Sequence, residues 1–309
     1  MNPILLAAVT LGDKIDSAFY SFDMWIYHIF GSMQCGFLTG VAKVFTAFGD
    51  EAFVIPMAVL GIVLCFFKKT RKYGFALVFA IVIGTLVTNI VVKPMVLRVR
   101  PYNTLQSAPI WGEYSVWYKA AGALSESDYS FPSGHTTAAF EMAVAAALCL
   151  RSDGKKKLSW IPVVIAVCTM GSRVYLMVHY PTDVIGGLIV GTVAGVCAFY
   201  LSKLACLIFE KVKFLDAIDV EKLFKKGISP KIACTLIMVV LAAFFCNSFI
   251  PALSEGGEDA VRCAYAGEDY DCQNEARVGE EKYPAFDGDG DGQDENYCKI
   301  HWKQLQGVK

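Results

Sequence analysis

Pro132-Ser133-Gly134-His135 opens an apolar run that continues to Leu150. Forty residues on, Ser172-Arg173, His179 and Asp183 bracket the turn between two further apolar runs. Upstream, Lys93 and Arg100-Pro101 close another apolar run. In all three places the chemistry-bearing side chains stand at the ends of segments too apolar for water, so they are expected at the mouths of membrane helices.

The rest of the chain agrees. Its 309 residues are 55% hydrophobic and 18% charged, with a mean hydropathy of +0.45, which is too apolar for an ordinary soluble domain. Runs close to the roughly 20 residues that cross a bilayer occur at 51–67, 74–92, 136–150, 158–178, 184–202 and 232–250. The stretch 17–48 is interrupted by Asp23, His28, Gly31, Gln34, Gly36 and Lys43. It reads as an interfacial helix near 14–30 and a first span near 32–48. The opening Ile4–Leu11 run has neither a preceding basic region nor a small-residue cleavage site, so no removable signal peptide is expected.

Lys and Arg collect at Lys68-Lys69 and Arg71-Lys72, at Arg151 and Lys155-Lys156-Lys157, and from Lys203 to Lys231. By the positive-inside rule these loops are cytoplasmic. Alternation then puts the segment after residue 92, the turn at 179–183 and everything past 250 on the outer face of the plasma membrane. The charge rule takes no account of the three polar clusters, yet it places all of them on one side. Topology thus explains the lysines, and no nucleic-acid partner is expected. Nothing in the sequence fixes the oligomeric state.

The three clusters together resemble the type-2 phosphatidic acid phosphatase family. Its signatures read here as Lys93, six residues, Arg100-Pro101; Pro132-Ser133-Gly134-His135; and Ser172-Arg173, five residues, His179, three residues, Asp183. The resemblance spans about residues 15–230. It implies an all-α polytopic bundle of six core spans, here with an extra one, and a lipid phosphate as substrate within a bilayer.

It also implies that His179 attacks phosphorus to give a phosphohistidine, oriented by Asp183, and that His135 protonates the leaving oxygen and then activates water. Lys93, Arg100 and Arg173 would neutralise the phosphate oxygens. Ser133 and Gly134, at a helix N-terminus where backbone N–H groups are free, would bind the same anion. No carboxylate or histidine cluster near these positions suits a two-metal site, so no cofactor is expected for catalysis. Undecaprenyl diphosphate leads as substrate, with phosphatidic acid, phosphatidylglycerophosphate and diacylglycerol pyrophosphate behind it. A lipid phosphotransferase, a non-catalytic lipid-binding protein and a haloperoxidase are the other readings.

Taken by themselves, the residues divide the chain into a catalytic body at 1–230, an added transmembrane helix at 231–250 and an acidic tail at 251–309. Of the 29 Asp and Glu, 14 fall after residue 250, against 6 of the 28 Lys and Arg. Asp287, Asp289, Asp291 and Gly292 repeat the first half of a calcium loop, but Cys298 stands at position 12, where the bidentate Glu belongs, and Glu295 at position 9. Ca2+ held by Asp287, Asp289, Asp291 and Glu295 is the expectation, against a merely solvating acidic tail. Cys263, Cys272 and Cys298 lie in the oxidising compartment under this topology, which suggests one disulfide and one remaining thiol.

Three further features are less specific. Glu141 lies inside a predicted span and is expected to have a buried structural partner. The aromatic segment 94–131 reads as a lid over the headgroup or as an interfacial anchor. Residues 203–231 read as an amphipathic helix on the inner leaflet.

Overall fold

The computed structural model describes residues 9–216, 261–267 and 270–307. Helix α1 (Leu11–Ser32) starts at Thr10, whose hydroxyl accepts from the Asp13 amide while the Asp13 carboxylate accepts from the Thr10 amide. These reciprocal bonds satisfy two donors that a helix end leaves open. Helix α2 (Gly36–Thr46) and a 3-10 turn at 47–49 lead to Asp50, whose carboxylate caps α3 (Glu51–Cys65) through the Ala52 amide at 2.9 Å.

Helix α4 (Arg71–Leu86) continues through a π-helical turn at 87–92 into a short α5 (Lys93–Val96). The segment after α5 then forms α6 (Pro101–Thr104) and α7 (Trp111–Ala120). Helices α8 (Gly134–Ser152), α9 (Trp160–Tyr175) and α10 (Pro181–Lys211) complete the bundle, followed by α11 (Lys213–Asp216).

Helices α3, α4, α8, α9 and α10 run between two opposite ends. Lys72 donates to the Ser152 hydroxyl at 2.9 Å, and the Arg71 guanidinium lies 4.9 Å from the centre of the Phe209 ring. The loops after α3 and α8 and the end of α10 therefore meet at one pole, where the sequence places the lysine-rich loops. Asp50, Lys93, His135, Arg173 and Asp183 stand at the other.

Stretches at Gly36–Cys65, Arg71–Ser107 and Pro181–Lys211 are long and apolar enough to cross a membrane. Their outward faces carry Ile55, Val59, Ile62, Val82, Leu86, Ile189 and Val193, all largely exposed. An outer apolar surface around a more polar interior is what a hydrocarbon solvent selects.

With no hydrophobic driving force between helices in lipid, close packing holds them together. Gly187, Gly191 and Gly195, spaced four apart on α10, form the groove that receives α8. A Cβ on them would come within 2.7 Å of the Ser133 carbonyl oxygen, 2.6 Å of that of Thr137 and 2.7 Å of that of Glu141.

The expected first span at 32–48 is not one. Helix α2 has 11 residues, about 16 Å at 1.5 Å per residue. It starts where the Cys35 amide meets the Tyr175 hydroxyl and ends where Thr46 meets Arg173, so both its ends lie by the same end of α9. Gly36, Gly40 and the polar Gln34 and Lys43 shorten the apolar run, and the chain lies across the site end. Helix α1 does so too, as expected: Asp23 accepts from the Thr182 amide, and Tyr27 donates to the His179 carbonyl at 2.8 Å.

The added span at 231–250 and most of the expected amphipathic segment lie outside the described residues. Helix α10 carries the chain to the lysine-rich pole, yet residues 261–307 are found at the site end. The tail has isolated bridges at Arg262–Glu275, Ala266–Asp271 and Phe286–Glu295, then α12 (Lys299–Leu305). Its core gathers Cys263, Cys272, Tyr297 and Cys298. Arg262 donates to the Ala123 carbonyl at 2.9 Å and Asn103 to the Asn274 side chain at 3.1 Å, docking the tail on the segment before α8.

Candidate active site

Helix α9 ends at Tyr175, and Met177 adopts a left-handed backbone (φ 58°) that turns the chain into Val178 and His179. Pro181, whose fixed φ suits a first helical turn, then opens α10 and puts Asp183 four residues after His179. Asp183 Oδ2 lies 3.5 Å from His179 Nδ1 and also accepts from the Tyr180 amide at 2.9 Å and from Ser130. The other carboxylate oxygen is held by Arg98. Arg98 in turn bonds Asp16 at 2.8 Å and Asp23 at 2.9 Å, with its guanidinium 3.8 Å from the Tyr180 ring centre.

The histidine is thus fixed from one side, leaving Nε2 for chemistry. That nitrogen faces Arg100 Nη1 at 3.1 Å. Burial, reinforced by the Arg100 charge, pushes the His179 imidazole well below its ordinary pKa, so the neutral, nucleophilic form prevails near neutrality.

The cations gather around two carboxylates. Glu126 bridges Arg100 and Arg173, and Asp128 bridges Lys93 and Arg100. Burial would push the Asp128 carboxyl up, but the Lys93 ammonium and Arg100 guanidinium outweigh it and hold the group well below the usual carboxylate range. Lys93, Arg100 and Arg173 are 7%, 1% and 3% exposed, so they are not headgroup-reaching cations at a helix rim. No single carboxylate touches all three: Glu126 takes the two arginines, and Asp128 takes Lys93 and Arg100.

His135 stands on the other side of the same carboxylate, with Nδ1 3.9 Å from Glu126 Oε1 and Nε2 3.5 Å from Asp50 Oδ2. Gly49 lies against it: a Cβ there would come within 2.5 Å of the His135 carbonyl oxygen. Gly134 has only the Lys93 ammonium within 4 Å of where its Cβ would stand, at 3.7 Å, so its backbone faces the cation cradle.

Ser133 is fully buried at the start of α8. Its hydroxyl accepts from the Thr136 amide and hydroxyl, and its amide donates to the Asp183 carbonyl at 3.1 Å, which ties α8 to α10.

Below His135 a cavity of about 530 Å³ opens among α3, α4 and α8, lined by Val54, Ala58, Ile81, Thr88, Lys93 and Glu141 among others. Glu141 does not have the structural partner expected of it. Both carboxylate oxygens are buried without a hydrogen bond among the described residues, against Gly84, whose missing side chain makes their room.

The aromatic segment is packed, not loose. Tyr114 stacks on Tyr118 and lies edge-on to Tyr27, and its hydroxyl holds the Met177 carbonyl. It buttresses the His179 turn.

In the tail, the carboxylates of Asp287, Asp289 and Asp291 converge within 4.8 Å of one another, exposed, and accept from the loop's own amides. Glu295 is not in this group: its carboxylate takes the Tyr297 hydroxyl while its backbone pairs with Phe286. The three tail cysteines are not disulfide-bonded, so the expected bridge is not formed.

Sequence reasoning missed Arg98, Asp23, Glu126, Asp128 and Asp50. Arg98 and Asp23 sit in segments read as spacer and interface. Glu126 and Asp128 stand in the polar loop before Pro132, where nothing in the residue types marks them.

The PAP2 superfamily profile matches residues 73–206. The undecaprenyl-diphosphatase of Sulfolobus acidocaldarius is 34% identical over 172 residues, 55% of this chain and 74% of that one. Phosphatidylglycerophosphatase B of Bacillus subtilis is 35% identical over 162 residues, 50% of this chain and 68% of that one. A solved transmembrane PAP2-type phosphatidylglycerolphosphate phosphatase from Bacillus subtilis is 30% identical, with a TM-score of 0.48, covering 66% of this chain and 92% of that one. With the signatures brought to one pole of a helical bundle, and with relatives of this likeness and coverage, the chain belongs to the PAP2 superfamily and is a hydrolase of lipid phosphates.

Proposed function

We propose that the protein removes a terminal phosphate from a lipid phosphate or diphosphate through a phosphohistidine, with no metal in the reaction and with its pocket on the outer face of the plasma membrane. The observation that carries this reading is the pair Glu126 and Asp128. Their carboxylate oxygens meet Lys93, Arg100 and Arg173 as phosphate oxygens would, between the imidazoles of His179 and His135.

A phosphate displacing them would meet His179 Nε2 beside Arg100. The Nε2 lone pair attacks phosphorus and the bond to the lipid-side oxygen breaks, as that oxygen takes a proton from His135. His135, now neutral, accepts a proton from water as the water oxygen attacks phosphorus and the P–N bond breaks. Asp183 stabilises the imidazolium-like ring meanwhile. The fixed cations stabilise charge on the phosphoryl oxygens in both steps, the task a metal performs elsewhere.

An acyl or isoprenoid chain fits the cavity among α3, α4 and α8, whose site end carries Lys93, His135, Glu126 and Asp128 and whose deeper wall is formed by Val54, Ile55, Ala58 and Ile81 beside Glu141. Undecaprenyl diphosphate is the leading substrate: the relative of that name is 34% identical. In the tail, the three converging aspartates are read as a weak Ca2+ loop, checked by Ca2+ titration of the full chain against Asp289→Asn.

The test is phosphate release in detergent from undecaprenyl diphosphate, phosphatidylglycerophosphate and phosphatidic acid, for wild type, His179→Ala and His135→Ala. Either substitution is expected to reduce turnover at least about a thousandfold. Full turnover in His179→Ala would remove the covalent step. Transfer of labelled phosphate to an acceptor other than water would make the protein a phosphotransferase.

A further inference from the structure

Away from the site, the tail draws four ligand-type side chains together. The sulfurs of Cys263, Cys272 and Cys298 and a nitrogen of His301 all lie within 4.8 Å of one another. All four residues are buried, from 0% exposure at Cys298 to 6% at Cys263. We propose that Cys263, Cys272, Cys298 and His301 form a closed structural site for a zinc-class divalent ion.

The geometry supports it. In a tetrahedron with metal–sulfur and metal–nitrogen distances of about 2.3 and 2.0–2.1 Å, the sulfur-to-nitrogen edge is about 3.6 Å. His301 Nδ1 lies 3.3 Å from Cys298 Sγ and 3.5 Å from Cys263 Sγ. Cys298 caps α12 and His301 follows three residues later in its first turn, so one helix start presents two ligands, and Cys263 and Cys272 arrive from the bridged segment beside it.

The surroundings are those of a metal site as well. Ligating histidines commonly fix their free nitrogen on an oxygen partner. Here His301 Nε2 lies 3.4 Å from the Tyr270 hydroxyl, and the Tyr265 ring stacks on the imidazole at 3.9 Å. The Asn274 amide points to Cys298 Sγ at 3.4 Å, a donor suited to a thiolate. A disulfide would use two of these sulfurs and leave a thiol and an imidazole without a task. Three thiols and an imidazole make a complete Cys3His set, which zinc binds as thiolates with loss of their protons.

So small a tail, with isolated bridges and one short helix, cannot bury enough apolar surface to hold its shape unaided. A metal would supply that. The consequence reaches the active site, since the residues next to the ligands touch the loop that bears Glu126 and Asp128. Arg262, adjacent to Cys263, bonds Ser125 and Ala123, and Arg277 bonds Ser127.

The experiment is metal analysis of the full-length chain purified in detergent without chelator, together with Co2+ exchange of the wild type. The expected result is one zinc per chain, thiolate-to-cobalt charge transfer with intense tetrahedral d–d bands, and at least a tenfold loss of bound metal in Cys298→Ser and His301→Ala, while Asp289→Asn retains it. The cobalt spectrum is read on wild type, so misfolding of a variant does not decide the matter. A metal-free chain in which mass spectrometry finds a disulfide among Cys263, Cys272 and Cys298 overturns the proposal. So does metal that persists in both variants. Neither outcome bears on whether His179 is phosphorylated.

Discussion

At His179 a neutral imidazole is prepared by exclusion of water and by the facing Arg100. The depressed pKa works in one direction: the imidazole stays unprotonated to lower pH than an ordinary histidine. The acid limb of the kcat/KM profile that belongs to His179 is therefore expected below the usual 6.5 of imidazole. A profile whose acid limb stays at or above that value would contradict this. Arg98 acts one step back. Its guanidinium bonds Asp16, Asp23 and Asp183, and Arg98→Leu would leave buried carboxylates without a cation. A loss of about 3–5 kcal/mol is expected, measured as lowered thermal unfolding in detergent.

Glu126 gives the sharper residue test. Its carboxylate competes with phosphate for Arg100 and Arg173, so Glu126→Gln is expected to tighten inhibition by inorganic phosphate about tenfold, or roughly 1.4 kcal/mol. If Glu126 instead served to position the cations, the same change would weaken phosphate inhibition and lower kcat. None of this was legible from residue types alone, because an acidic pair in a polar loop has the composition of any solvated turn. His179, His135, Asp183 and the three cations were legible through the resemblance of their spacing to the family signatures, at helix ends that the structure brings to one pole.

Among the elements, α8 and α10 are held by small residues spaced four apart. Gly191→Leu places carbon atoms where the Thr137 carbonyl and the Phe140 side chain stand. Such overpacking costs about 1–3 kcal/mol or more, and because α8 carries His135 and α10 carries Asp183, turnover should fall together with the unfolding temperature. Unchanged activity and stability would mean that the helices separate more readily than this packing implies. The apolar runs gave α3, α8 and α9 within a few residues, whereas α4 reaches 92 only through its π-helical turn and α10 continues nine residues beyond 202. The exception is instructive: 32–48 has nearly the length of a span, but α2 lies across the site end because polar and glycine positions break its lipid face. The π-helical turn at 87–92, just before Lys93, is likewise a product of packing and leaves no mark in the hydropathy pattern.

Over the whole molecule, the proposed reaction draws the charge that meets the phosphate from Lys93, Arg100 and Arg173. Chelation of divalent ions should therefore leave turnover standing. Since the tail is proposed to hold zinc, the decisive arm is Cys298→Ser assayed with and without EDTA, where a chelator-abolished reaction would refute metal-free chemistry. Sidedness is checked by cysteine accessibility. The lysine-rich pole and the site are at opposite ends of the bundle, so a membrane-impermeant reagent applied to intact cells should label a cysteine placed at Glu113 and spare one placed at Lys156. The reverse pattern would put the site in the cytosol.

Composition and the placing of charge determined by themselves that the chain is a membrane bundle with its polar clusters at one pole, because lipid tolerates few structures and helix ends fix where polar groups can stand; phosphate handling came from the resemblance of those clusters to the family signatures. Tertiary structure alone decided which carboxylates occupy the cationic cradle, that Arg98 anchors Asp183, that Glu141 has no hydrogen-bond partner among the described residues, and that three cysteines and His301 converge. Those are contacts between residues far apart in sequence, set by packing that no local pattern records.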